Sequence, residues 1–75
     1  MVKDDINKKI CNYIAINWIE KSKSNRAFAL DHFIEESTVR KILQKDGYRI
    51  PVNTLKKICD ARNLKLSEFF FLINS

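Results

Sequence analysis

Glycine and proline are almost missing from this chain, which has one of each, Gly47 and Pro51, in 75 residues. A β protein needs many tight turns, so the scarcity excludes one and predicts helices joined by short connections. Long apolar runs are also lacking. The longest, Phe69 to Ile73, has five residues, whereas a membrane span needs about 20, so no membrane partner is expected. The first residues, Met1-Val2-Lys3-Asp4-Asp5, are charged with no apolar stretch behind them. They do not read as a signal peptide, and the expected location is the cytoplasm. Two cysteines, Cys11 and Cys59, allow at most one disulfide and read as buried free thiols in a chain without a secretion signal. Together with one histidine they fall short of the roughly four ligands of a zinc site, so no metal is expected. A Gly-rich phosphate loop and a nucleophile–base arrangement are both absent. A chain this short leaves no room for a large pocket, so neither an enzyme, a cofactor nor a small-molecule ligand is expected.

Seventy-five residues with 45% hydrophobic content make one globular domain, 1–75. Its small core is expected to be marginally stable, which favours a compact bundle, an oligomer or both. The net charge is +5, and its distribution matters more than its size. From Ser37 to Lys57 the bases are Arg40, Lys41, Lys45, Arg49, Lys56 and Lys57, and the one acid is Asp46. Six bases against one acid concentrate the whole excess in that stretch, which points to an anionic partner, nucleic acid first.

No internal repeat or low-complexity segment is visible in the residues. Five helical patterns are. Ile6, Ile10, Ile14 and Trp18 recur every four residues, with Tyr13 beside them, and predict a helix from Asp5 to about Lys21. Asp4 or Asp5 is suited to cap it. Ser24 is a good N-cap for a second helix, Asn25 to His32, with Phe28, Ala29 and His32 inward. A third, Glu36 to Gln44, places Val39, Ile42 and Leu43 on one face and Glu36, Ser37, Arg40, Lys41 and Gln44 on the other. Asp46-Gly47 reads as a turn, and Pro51 holds Ile50 extended. A fourth helix starts near Pro51 to Thr54, carries Leu55, Ile58, Cys59 and Arg62 at inward spacing, and ends at a left-handed Asn63. Ser67 is placed to cap a short fifth helix, Glu68 to about Ile73.

The run from Phe28 to Leu43, with Ala29 as the small residue of the first helix, Phe33 at the corner, Ile34 after it, and Val39 and Ile42 inward on the second, resembles the helix-turn-helix of the phage-repressor and Cro-type (XRE-type) family. The likeness continues through Ile50-Pro51, Thr54-Leu55-Lys56-Lys57-Ile58 and Asn63 to Phe70, and covers roughly Lys21 to Leu72. It implies an all-α, compact, five-helix, lambda-repressor-like domain with its helix-turn-helix at about 25–44. It also implies a sequence-specific regulator of transcription, a dimeric repressor or controller that binds double-stranded DNA. Small regulators such as the controllers of restriction–modification operons are of this size. Two residues depart from the family pattern. Gly usually stands at the corner because the backbone there has positive φ, so Phe33 implies about 1 kcal/mol or more of strain. Either the turn is altered or packing holds Phe33. Glu35 replaces the usual Ser or Thr cap and predicts a weak start for the recognition helix.

A helix about 10–12 Å wide fits a major groove about 12 Å across. Glu36, Ser37 and Lys41 are the first candidates for base reading, followed by Arg40 and Gln44. Asn25, Arg26, Lys45, Arg49 and Lys56 are candidates for phosphate contacts. Tyr48 lies in the loop between helices 3 and 4, where a phosphate hydrogen bond is possible but no other residue supports one. Trp18, Tyr13 and His32 read as packing residues. The run Phe69, Phe70, Phe71, Leu72 and Ile73 cannot be buried on every side of a two-turn helix, and is the expected homodimer surface. The competing reading is a protein-interaction module, or an antitoxin-type partner protein, that keeps the fold and binds no DNA. The acids Glu35 and Glu36 at the start of helix 3 favour it.

Overall fold

A computed structural model of the chain describes residues 6–44 and 48–74. The expected Asp4 or Asp5 cap, the Asp46-Gly47 turn and Lys45 lie outside those residues. Among the described residues the chain is all-α, with five α-helices and no strand: α1 (Ile6–Ile14), α2 (Asn25–Asp31), α3 (Glu36–Leu43), α4 (Val52–Ala61) and α5 (Leu66–Asn74).

α1 continues without a break into a π turn, Ala15–Ile19, where the Glu20 N–H donates to the Ala15 carbonyl at 3.0 Å, five residues back. The four-residue apolar repeat explains the widening. In an α-helix of 3.6 residues per turn such a stripe drifts by about 40° at each step. A turn widened by one residue rotates it back, and Trp18 and Ile19 both enter the core. Ile6, at the other end of the stripe, is exposed. α2 begins where expected, with the Ser24 hydroxyl accepting from the Ala27 N–H at 3.0 Å. α5 begins earlier than expected, at Leu66. The Lys65 N–H donates to Glu68 Oε1 at 2.9 Å, and the Lys65 carbonyl accepts from Phe69 at 2.9 Å. Lys65 therefore sits at the N-cap, and Ser67 lies inside the helix.

α2 and α3 pack against each other, α1 lies against both α3 and α5, and α4 packs on α5. Ile14, Phe28, Val39, Ile42, Ile58 and Phe69 are fully or almost fully buried where these elements meet, with Ala29 and both cysteines among them. The thiols are free. Cys11 Sγ–H donates to the Tyr48 carbonyl at 3.4 Å and ties the loop before α4 to α1. Burial, and then the charge of Asp60, push the Cys59 thiol up, which keeps it protonated and unreactive.

Two of the inter-helix corners, α2 to α3 and α4 to α5, share one backbone design. After α2, His32 caps the helix, Phe33 takes φ 60°, and the Ile34 N–H returns to the Ala29 carbonyl at 3.0 Å. After α4, Arg62 caps, Asn63 takes φ 58°, and the Leu64 N–H returns to the Cys59 carbonyl at 2.9 Å. Both are Schellman motifs, in which a left-handed residue lets the last carbonyls of the helix find donors. Ile34 and Leu64 then turn inward against the core. The corner at Phe33 is thus unaltered, and packing does not hold Phe33 either, because its side chain is 74% exposed.

Candidate nucleic-acid interface

α3 is amphipathic in the manner a groove-reading helix requires. Val39 and Ile42 are buried, while Ser37, Arg40, Lys41 and Gln44 are exposed. Three details differ from the expected face. Glu36 is half-buried, Leu43 is partly exposed instead of inward, and Gln44 follows the helix as an extended C-cap. Ser37 and Lys41 stand one turn apart and project from the same side. The Lys41 ammonium lies 5.7 Å from the centroid of the Tyr48 ring, within cation–π range. That contact holds the end of Lys41 beside the loop before α4.

Acids reshape the charge of this region. Glu36 bonds Arg40 at 3.0 Å across one turn, and Asp60 holds Lys56 at 3.1 Å in the same i,i+4 geometry. Ser37 donates to Glu35 at 3.4 Å. Both ion-pairing acids stand just outside the stretch from Ser37 to Lys57. From Glu35 to Asp60 there are six bases against four acids, a balance of +2. Exposed pairs of this kind are worth about 0–1 kcal/mol, so an arriving phosphate can displace them. Lys41 and Arg49 are exposed, as is Arg26 at the start of α2, while Asn25 beside it is half-buried. Glu35 is the N-cap of α3, and its side chain makes no capping bond.

No family model matches the chain, and neither a curated protein nor a solved structure matches it. Among the described residues no cluster of three or more His, Cys, Asp or Glu is arranged to hold a metal ion. None of the described helices is long and apolar enough to cross a membrane.

The expected dimer surface divides in two. Phe69 is fully buried, its ring 5.6 Å from both Tyr13 and Trp18, so it belongs to the core and not to an interface. Phe70 stands edge-on to Phe69 at 5.7 Å and, like Ile73, is half-buried against the core. Phe71 is 74% exposed and Leu72 40%. Leu72 lines a groove of about 370 Å³ between α5 and α1, whose other wall includes the exposed Ile16. α5 starts about half a turn sooner than its sequence suggested, and it presents Phe69 rather than the whole run to α1. Ile16 escaped sequence reasoning because it lies off the four-residue stripe.

His32 and Arg62 are closer than their places in the chain suggest. Both read as inward residues of separate helices. His32 is buried, whereas Arg62 is exposed overall with its guanidinium set against His32 and Trp18. The inward spacing of Arg62 on α4 was the available signal. Nothing local pairs it with a residue thirty positions away.

Proposed function

We propose that the chain is a sequence-specific regulator that binds double-stranded DNA, with α3 entering the major groove and the chain acting as a homodimer in the cytoplasm. The observation that carries this reading is the division of α3. Its buried side locks it to α1 and α2, and its outer side offers Ser37, Arg40, Lys41 and Gln44 as donors. Ser37 and Lys41 meet base edges first. Arg40 reaches guanine or phosphate on leaving Glu36, and Glu36 can accept from cytosine N4. Arg26, Arg49 and Lys56 lie outside α3 and suit phosphate. The resemblance to the phage-repressor and Cro-type family supports the same reading. Phe71 and Leu72, with Ile16 across the groove, are the surface we assign to the second copy, since one short helix reads few base pairs. Catalysis and a small-molecule ligand form no part of this reading.

The flanking acids favour a second reading, a protein-interaction module on the same scaffold. Glu35, Glu36 and Asp60 reduce the basic excess that first pointed to nucleic acid. Selection of duplexes from a random pool separates the two. A regulator enriches one shared motif and loses affinity steeply as salt rises. A pool that stays random after repeated selection rejects the DNA reading in favour of the interaction module.

A further inference from the structure

The two cap residues of the matching corners meet. His32 stacks on Phe28 with ring centroids 3.8 Å apart, and its Nδ1 lies 2.7 Å from the Phe28 carbonyl. Its Nε2 lies 3.0 Å from Nη1 of Arg62. A guanidinium has only donors, so Nε2 accepts, and the ring carries its one proton on Nδ1, which donates to Phe28. The same guanidinium lies 4.5 Å above the Trp18 ring. One arginine thereby joins the end of α2, the end of α4 and the π turn after α1.

We propose that His32, Arg62 and Trp18 form a proton-operated clasp between the two corners: the neutral ring holds Arg62 over Trp18, and protonation of Nε2 expels it. A second proton turns the acceptor into a donor facing a cation, so the hydrogen bond is lost and like charges oppose each other. The charged groups acting on the ring are Arg62 from the end of α4 and Asp31 from its own helix. The π turn after α1 contributes the uncharged Trp18 behind the guanidinium. Burial dominates and lowers the histidine below its ordinary value, the Phe28 bond opposes this, Arg62 lowers it further, and Asp31 raises it. The folded chain therefore binds fewer protons than the unfolded chain just below the ordinary histidine pKa of about 6.5. The clasp contributes fully above that pH and is lost as pH falls through the depressed value. Phe33, the strained corner residue, directly follows His32, so loosening begins beside the start of α3.

The chain has one histidine and one tryptophan, so both partners can be followed without ambiguity. The test is a titration of the wild-type chain from pH 8 to about 4.5, reading His32 by NMR, Trp18 by fluorescence and helix content by circular dichroism. The expected result is a His32 midpoint below about 6.5 and a Trp18 change with the same midpoint, while helix content holds. In Arg62→Met the His32 midpoint should rise, and Trp18 should no longer follow it. The proposal is overturned if His32 titrates at or above its ordinary value. It is equally overturned if Trp18 ignores the His32 transition, if it changes only as helix content is lost, or if it responds unchanged in Arg62→Met. None of these readings depends on DNA.

Discussion

The corner between α2 and α3 and the corner between α4 and α5 have the same backbone and opposite chemistry. In each, a left-handed residue follows the cap, an aliphatic residue turns inward, and the next helix begins three residues after the left-handed position. Corresponding positions lie thirty residues apart, the separation of His32 and Arg62 themselves. The second corner uses residues suited to it. Asn63 tolerates positive φ, and Glu68 accepts the Lys65 N–H at the start of α5. The first corner places Phe33 in the same strained conformation with its ring in solvent, and it leaves α3 without a side-chain cap. Their outward sides differ as well, since Lys41 of α3 corresponds to Phe71 of α5. One frame thus presents a charged face at one corner and an apolar face at the other. Breaches of local preference gather where function is expected, and here they gather at the start of α3.

The largest effect expected from breaking this comparison lies inside α5. Phe69 takes the place that Val39 takes in α3, and both are fully buried. Phe69→Ala should cost about 3–5 kcal/mol, enough to unfold much of so small a domain at ordinary temperature. Phe71→Ser, two residues on, should leave stability nearly unchanged and convert dimers to monomers by equilibrium sedimentation at tens of micromolar. Equal thermal shifts for the two variants would show that α5 is not divided between a core side and a docking side.

Next in size is the contrast between α3 and α4. On a selected operator, Lys41→Ala should lose about 1–3 kcal/mol of discrimination against unrelated duplex. Lys56→Ala should weaken both DNAs alike and reduce the salt slope by about one. Its pairing with Asp60 leaves that effect small. Binding isotherms across a salt series read both. If neither variant differs from wild type, α3 does not read bases.

Local signals were legible in the residues. Ser24 announced the start of α2, Asn63 the end of α4, and the inward faces of α2 and α4 followed from spacing, Arg62 apart. Each depends on interactions within about four residues. What escaped depends on partners farther away or on the exact phase of a helix. The π turn follows from packing Trp18 and Ile19 together. The early start of α5 depends on Glu68 reaching back to Lys65, and that start carries Phe69 into the core. The proposed clasp joins residues from the ends of α2 and α4 and from the π turn. For the candidate site, the outward set on α3 and the acids at its start were readable, whereas the pairing of Glu36 with Arg40 and of Asp60 with Lys56 depends on where the side chains settle.

Phe33 offers a smaller test of the comparison. Phe33→Asn gives the first corner the residue type of the second. It should raise stability by about 1 kcal/mol, because left-handed backbone penalises a Cβ residue by about that much and Asn bears it best after Gly. Denaturant midpoints at an unchanged slope measure the gain. A loss of stability would mean that the exposed ring makes contacts worth more than the strain.

The smallest effect concerns the start of α3, where α2 provides an internal standard. Ser24 accepts from the N–H three residues on, whereas Glu35 at the same position makes no capping bond. Glu35→Ser should supply that bond to Thr38 and contribute about 0.5–1 kcal/mol. It also removes a carboxylate from the positive end of the helix, a loss of about 0.3–1 kcal/mol, so the net gain is small. Glu35→Asp separates the two effects, since the shorter acid can cap while keeping its charge, and it should be the more stable variant. On DNA the order should reverse. Removing the charge in Glu35→Ser relieves repulsion with phosphate, whereas Glu35→Asp leaves it in place. Stability from thermal melts and affinity at fixed salt should therefore rank the two variants oppositely. If affinity follows stability instead, the weak cap rather than the charge limits how α3 meets its partner.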